Sequence, residues 1–268
     1  MIFKDLSNFI ERKKIYFQCF VRKEKVTMLE TLAVIPARYG STRLPGKPLA
    51  KLRGKELILR VWEGVRQSDY VDRLVVATDH ESIAAIVEKA GGEVMMTPSE
   101  LATGNDRTAY VAERIPSRFV LNVQGDNPMV VPRLLDPLVS ALREDASVTL
   151  AVPAKRIEDP DELKNNSVVK MVFDEKGRAL YFSRSLIPFS NDPETIRFKH
   201  IGIYAWRRDA LFEFASWPRT SLEKAESLEM LRLLEKGGII RCVETDVETV
   251  EIDTPEDIAR YERFTAGV

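Results

Sequence analysis

Three cations fall within ten residues of this chain, in Arg38-Tyr39-Gly40-Ser41-Thr42-Arg43-Leu44-Pro45-Gly46-Lys47. Leu32 to Ile35 precede them as a short apolar run closed by Pro36, the pattern of a buried strand. Pro45, Gly46 and Pro48 forbid a regular helix after the strand and stiffen the turn. A strand that empties into a stiff cationic loop suits a polyphosphate, because backbone N–H groups and Arg or Lys side chains both meet anions there. The plainer alternative is a surface loop with solvated charges.

Two carboxylates supply the opposite charge. Asp126 lies in Asn122-Val123-Gln124-Gly125-Asp126-Asn127-Pro128, directly after a second buried run, and Gly125 lets the backbone turn close to a ligand. Asp253 lies in Glu251-Ile252-Asp253-Thr254-Pro255-Glu256-Asp257. Each has an ordinary explanation: turn aspartates bond their own backbone, and acids are favoured before a helix N-terminus. Together, at the ends of two strands of one sheet, they fit a hard cation that keeps several waters and takes its other ligands from phosphates.

In order along the chain, these motifs resemble those of the 3-deoxy-manno-octulosonate cytidylyltransferases, the CMP-Kdo synthetases. That family opens on Pro-Ala-Arg-x-x-Ser-Thr-Arg-Leu-Pro-Gly-Lys-Pro-Leu, matched by Pro36 to Leu49. Its Asn-Val-Gln-Gly-Asp-Glu-Pro and Gly-Val-Asp-Thr-Pro-Glu-Asp are matched around Asp126 and Asp253, except that Asn127 replaces Glu and Glu251 replaces Gly. Thr103-Gly104-Asn105-Asp106-Arg107 resembles Ser-Gly-Thr-(Asp/Glu)-Arg, with Asn105 departing from Thr. Tyr181-Phe182-Ser183-Arg184 and Lys199-His200-Ile201-Gly202-Ile203-Tyr204 match two more stretches. Leu222 to Arg232 resembles Leu-Glu-x-x-Glu-x-Leu-Glu-Gln-Leu-Arg, with Met230 in place of Gln.

The resemblance spans residues 32 to 263 and implies CMP transfer from CTP to the anomeric hydroxyl of a 3-deoxy-ulosonic acid, best matched to Kdo. It implies that Ala37, Arg38, Arg43, Lys47, Gly104 and Arg107 bind the nucleotide. It places Gln124, Arg184, His200, Tyr204 and Glu229 at the sugar acid. It makes Lys47, Asp126 and Asp253 catalytic, with Asp126 and Asp253 ligating Mg2+. A fork-shaped Arg184 suits a carboxylate, whereas His200 and Tyr204 are equally explained as half-buried strand residues. The resemblance further implies a homodimer joined through a smaller subdomain, a cytoplasmic setting and a role in lipopolysaccharide synthesis. Asn127 and Met230 open a second reading, a modified sugar such as 8-amino-8-deoxy-Kdo. A third is a non-catalytic nucleotide-binding relative.

The elements that must position these residues alternate. The spacing predicts helices over Glu56–Gln67, His80–Ala90 (capped by Asp79), Asp106–Ile115 and Pro132–Arg143, and strands over Arg73–Thr78, Glu93–Met96, Phe119–Val123 and Ser147–Val152. Alternation implies an α/β fold with a doubly wound, mostly parallel sheet, which binds ligands beyond the carboxyl ends of its strands. After Pro153 the pattern changes to a hairpin (Val168–Asp174, Arg178–Ser183), a strand Phe198–Trp206 and a helix Leu222–Glu235. This reads as a smaller antiparallel β-plus-helix subdomain at about 165–235. The strands Ile239–Val243 and Thr249–Ile252 then return to the main sheet. A last helix starts at Pro255, with Thr254 and Asp257 as a capping box.

Composition excludes several classes. With 40 basic and 41 acidic residues the net charge is −1, which gives no global pull to nucleic acid or anionic membrane. Cys19 and Cys242 are the only cysteines, too few for a disulfide framework or a zinc site, and a reducing compartment fits. No apolar run reaches the length of a membrane span. Residues 1–27 carry seven Lys/Arg against three acids, so +4 falls there and −5 on residues 28–268. They read as a basic, poorly ordered extension without a secretory pattern, and Met28 is a candidate start.

Overall fold

In the computed structural model, residues 28–41, 43–192 and 194–267 are described; the expectation for residues 1–27 lies outside them. The strands are β1 (Leu29–Ala37), β2 (Lys51–Leu52), β3 (Lys55–Glu56), β4 (Arg73–Thr78), β5 (Glu93–Met96), β6 (Ser117–Val123), β7 (Leu150–Arg156), β8 (Lys170–Phe173), β9 (Ala179–Ser183), β10 (Phe198–His200), β11 (Ile203–Arg207) and β12 (Ile240–Thr245). The helices are α1 (Leu57–Val65), α2 (Glu81–Lys89), α3 (Gly104–Arg114), α4 (Pro132–Glu144), α5 (Pro160–Lys164), α6 (Arg208–Ser216), α7 (Ser221–Glu226), α8 (Met230–Glu235) and α9 (Pro255–Ala266).

Ten strands form one mixed sheet in the order β5-β4-β1-β6-β11-β7-β10-β8-β9, with β12 also paired to β7. The β5-β4-β1-β6 half is parallel. Its strands are apolar on both faces because helices cover both. Along β1, Ala33, Ile35 and Ala37 enter the core beneath α1 and α4, while Leu32 and Val34 enter the opposite core beneath α3. Helix α1 buries Leu57, Ile58, Val61, Trp62 and Val65 at the three-to-four spacing of one helical face.

The segment expected as a subdomain extends this sheet rather than leaving it: β10 pairs antiparallel with β7 and β8, and the β8–β9 hairpin forms the edge. Among the described residues only the β2–β3 pair stands apart.

Four expectations are corrected. The strand over Phe198–Trp206 breaks at Ile201-Gly202, where Ile203 N donates to Ile201 O at 2.6 Å. Helix Leu222–Glu235 splits into α7 and α8, because Ser227 takes a left-handed φ of 55° that an α-helix cannot continue through. Thr249–Ile252 joins no ladder among the described residues; Ile252 N to Asp126 O at 2.8 Å and Gly202 N to Glu251 Oε1 at 3.3 Å tie it to the sheet's loops. His80 rather than Asp79 caps α2, its Nδ1 accepting from Ser82 N at 3.2 Å. Helix α6 has no counterpart in the sequence reading.

Candidate active site

The carboxyl end of β1 delivers the cationic loop to a cleft of about 390 Å³. Ala37, Arg38, Arg43, Lys47, Gly104, Arg107, Gln124, Asp126 and Asp253 all line it. Nine residues expected at the site from four separate stretches therefore meet in one concavity. Gly125 serves this meeting differently from the expectation. A Cβ there would lie 3.0 Å from Pro36 O, so the missing side chain lets the two loop backbones approach each other.

Lys47 is the centre of charge. Its Nζ donates to Asp126 Oδ2 and to Asp253 Oδ1, each at 3.0 Å, and Arg43 pairs with Asp253 Oδ2 at 3.0 Å. Burial pulls the Lys47 pKa down, but the two carboxylates outweigh it and the ammonium is held above its usual range. A single positive charge thus sits between two carboxylates that come from chain positions 126 and 253. Those two are the residues able to hold a metal ion, with waters and phosphates as its remaining ligands. Among the described residues no cluster of three or more His, Cys, Asp or Glu side chains is arranged for a metal.

Arg107 lines the cleft yet is spoken for. It is buried, its Nη2 donates to Asp79 Oδ2 at 3.2 Å, and its Nη1 meets Thr97 Oγ1. Burial lowers its pKa, Asp79 opposes this, and nearby Arg38 lowers it further. Asp79 also accepts from Tyr39 N at 3.0 Å, and the Tyr39 ring stacks on His80 at 3.9 Å. Arg107 and Asp79 together brace the loop that carries Arg38. At the start of α3, Thr103 and Asp106 form a capping box that uses two of the N–H groups an anion would otherwise meet.

Beyond Asp126 lie three expected sugar residues of the antiparallel half, Tyr204, His200 and Glu229, none of which lines the cleft. Tyr204 lies close to Asp126, Glu229 and Glu251, and burial, then these carboxylates, raise its pKa well beyond the usual tyrosine range. His200 packs against Phe182 and Tyr204, at 5.7 and 5.3 Å between ring centroids. Burial pushes its pKa down to about 4, so the imidazole is neutral. Gln124 and Glu229 are joined through Asn122 and Asn105.

Arg184 stands apart from the cleft too. Its Nε donates to Glu226 O at 2.9 Å and its Nη1 to Asn166 O at 3.0 Å, and it does not line the cleft. The structure gives this guanidinium a scaffold role, tying β9 to α7.

Glu251 stands out in the sequence only as a departure from the family's Gly. It accepts from Gly202 N at 3.3 Å. Its pKa is pushed up to about 7, by loss of hydration among the surrounding protein atoms and by the Asp126 and Asp253 charges, although part of the side chain remains exposed. Of the other three departures, Asn105 lies in the amide chain to Glu229, while Asn127 and Met230 turn away from the cleft: Asn127 accepts from Met129 N at 3.1 Å in its own turn, and Met230 is 4% exposed within the core.

Known proteins resemble this chain over most of its length. A cytidylyltransferase family model matches residues 32–258. A 3-deoxy-manno-octulosonate cytidylyltransferase of Syntrophotalea carbinolica is 44% identical over 88% of this chain and 98% of its own length. One from Chlamydia felis is 42% identical over 90% and 96%. The solved structure of a CMP:2-keto-3-deoxy-manno-octonic acid synthetase complexed with CTP superposes with a TM-score of 0.84, at 38% identity over 89% of this chain and 99% of that one. A 4-diphosphocytidyl-2C-methyl-D-erythritol synthase from Anaerococcus prevotii, 15% identical with a TM-score of 0.62, shares the fold alone. Identity at this level over almost the whole described chain, together with the charged cleft, places the protein in the 3-deoxy-manno-octulosonate cytidylyltransferase family of cytidylyltransferases.

Proposed function

We propose that this chain transfers CMP from CTP to the anomeric hydroxyl of Kdo, releasing pyrophosphate, and that it does so with Mg2+. The observation that carries the proposal is the Lys47 ammonium held between Asp126 and Asp253 at the mouth of the cationic loop. Arg38, Arg43 and Lys47 bind and neutralise the triphosphate. Gln124, which lines the cleft, and the residues behind Asp126 hold the sugar with its hydroxyl in line with the α-phosphorus. As in other phosphoryl transfers, positioning and charge neutralisation supply most of the rate. Mg2+, held by Asp126 and Asp253, would supply positive charge to the phosphate oxygens as the leaving group departs. That two carboxylates already share one cation supports this assignment.

A homodimer is part of the proposal. Leu180, Leu186, Phe189 and Ile196 expose apolar surface in and after β9, Phe189 being 86% exposed. A soluble, cytoplasmic enzyme feeding lipopolysaccharide synthesis fits the reading; among the described residues no helix is long and apolar enough to cross a membrane. The reading as a non-catalytic relative loses support because the charged groups remain together in one cleft.

A second reading, transfer to 8-amino-8-deoxy-Kdo, no longer draws on Asn127 or Met230, which face away. It has Glu251 in its favour, an added acceptor close to Asp126. Pyrophosphate release tests both: CTP with Kdo should turn over, and ATP, GTP and UTP should not. Faster turnover of the amino sugar would favour the second reading, and no release with either sugar would overturn both. The metal is tested by chelation followed by Mg2+ addition, the dimer by sedimentation.

A further inference from the structure

A chain of three amides ends on a carboxylate beneath the cleft. Gln124 Nε2 donates to Asn122 Oδ1 at 3.1 Å, Asn122 Nδ2 to Asn105 Oδ1 at 2.8 Å, and Asn105 Nδ2 to Glu229 Oε2 at 3.2 Å. Asn122 and Asn105 are 0% and 1% exposed, so neither can exchange its partners for water. The two ends of an amide have nearly the same shape, and the network decides which end points where. An ionised carboxylate only accepts. Burial raises the Glu229 pKa and Arg232, 3.6 Å from Oε1, opposes this; the geometry has Oε2 accepting from Asn105 Nδ2.

The orientation then propagates without choice. Asn105 must turn its NH₂ to Glu229 and its oxygen to Asn122. Asn122 must turn its NH₂ to Asn105 and its oxygen to Gln124. Gln124 must spend an N–H on Asn122, leaving Oε1 without a protein donor among the described residues, on a side chain that lines the cleft. Gly104 leaves room for this pose, since a Cβ there would come within 2.7 Å of Nε2 and 2.9 Å of Oε1. Gly202 also abuts Gln124 and carries the N–H that meets Glu251.

We infer that Asn105 and Asn122 are positioning residues whose one-way hydrogen-bond chain to Glu229 fixes Gln124 as an acceptor, so that the acceptor substrate is read through a donor group, a hydroxyl or an amine. The inference deepens the proposed function by naming what that wall of the cleft recognises. It also assigns work to Asn105, the residue that departs from the family's Thr.

The chain can be broken and remade by exchanging amide and carboxylate between two positions. In Asn105→Asp the new carboxylate faces Glu229, and no donor remains between them. When Asn105→Asp is combined with Glu229→Gln, the amide introduced at position 229 donates to the carboxylate introduced at position 105. Asn122 still donates to that carboxylate, so the orientation of Gln124 is restored and the overall charge is unchanged. A double-mutant cycle on the full chain therefore has a definite sign. Asn105→Asp alone should raise KM for the sugar acid about tenfold or more, the scale of removing one hydrogen bond to a substrate, with KM for CTP within twofold. In the Glu229→Gln background the same substitution should cost no more than twofold. Equal cost in both backgrounds, or equal effects on both substrates, would overturn the inference.

A neutron structure of the deuterated wild-type enzyme reads the orientation without any substrate or turnover. Deuterons on the Gln124 nitrogen facing Asn122, with Oε1 towards the cleft, are expected; the reverse would overturn the inference even if every variant failed to fold. If the orientation holds while Kdo is not turned over, the relay stands and the proposed substrate fails.

Discussion

The two halves of the sheet hold their functional residues in different ways. In the parallel half, Lys47, Asp126, Arg43 and Arg38 project from loops at strand ends into a shared cleft, where Lys47 pairs with Asp126 and Asp253 and Arg43 with Asp253. In the antiparallel half, Arg184, Lys170 and Arg232 turn inward and hold backbone. Lys170 is fully buried and its Nζ donates to Asn165 O, Val168 O and Arg184 O at 2.6, 2.9 and 3.0 Å. Arg232 binds Glu223 through two nitrogens at 2.7 and 2.6 Å. The difference follows from architecture. Parallel strands bury their backbone between helix layers and free their end loops for chemistry. An edge of short strands has less apolar burial to hold it, and here charged side chains tie it together.

The largest expected effect lies in the parallel half. Asp126→Asn and Asp253→Asn should each lower kcat by about 10³-fold or more, the scale of losing one preorganised charge in a reacting site. Melting temperature should change little, because Lys47 keeps one carboxylate partner in either variant. Steady-state pyrophosphate release with thermal unfolding checks this. A folded variant with near wild-type kcat would show that the Lys47 cluster is structural, as the antiparallel cations are.

Next in size is Glu223→Gln. Its side chain is 2% exposed, and its neutralisation would leave the buried Arg232 with only the longer 3.6 Å pairing to Glu229 as a charge partner. Removing one partner of a buried pair costs about 3 kcal/mol, read as a lower denaturant midpoint. Since Arg232 also faces Glu229, the sugar KM should rise while kcat for bound substrate holds.

The contrast between halves also governs what the sequence could reveal. Strands Arg73–Thr78 and Glu93–Met96 match the sequence reading residue for residue, because apolar runs between turn residues are self-contained signals. Thr254 and Asp257 read as a capping box and form one. The Lys47, Asp126 and Asp253 meeting was also legible, since each follows a strand or precedes a helix whose place in such a fold is known. The break at Gly202 and the split at Ser227 were not. The former lies between strands paired with the distant β6 and β7, and the latter is spanned by a Glu223–Arg232 pair that helical spacing does not reveal. The contacts of Arg184 were hidden for the same reason, because the carbonyls it serves at Asn166 and Glu226 are invisible to local pattern. Asn122 does carry a readable signal: a lone amide inside the buried run Phe119–Val123 needs a partner.

Acid stability tests the antiparallel half through His200. The fold holds the neutral imidazole with its pKa pushed down to about 4, while the unfolded chain takes up a proton near the ordinary value of 6.5. Below 6.5 the unfolded state binds more protons, so stability declines as pH falls from 6.5 towards 4 and is complete above that window. At about 1.4 kcal/mol per unit, the loss reaches up to about 2 kcal/mol by pH 5. Replacing the ring with one that cannot titrate, His200→Phe, should flatten this part of the stability–pH curve relative to wild type. Parallel curves for the two proteins would mean that water reaches His200.

The smallest effect is the most direct test of the comparison. Resemblance assigns Arg184 to the sugar carboxylate, and on that basis Arg184→Lys should raise the sugar KM roughly ten- to a hundredfold by losing a charge-assisted hydrogen bond. The structure assigns the same guanidinium to two backbone carbonyls, Glu226 O and Asn166 O. A lysine ammonium is a point charge that cannot reproduce the fork. It would keep one of those bonds, and losing the other costs about 1 kcal/mol. For a chain of this size that is a fall in melting temperature of about 2–4 °C, with the sugar KM changed by no more than about twofold. Thermal unfolding and sugar-dependent kinetics on one preparation separate the two outcomes. A KM effect without a stability effect would mean that Arg184 leaves its carbonyls to meet substrate, and that the antiparallel edge is reorganised by ligand in a way the parallel half is not.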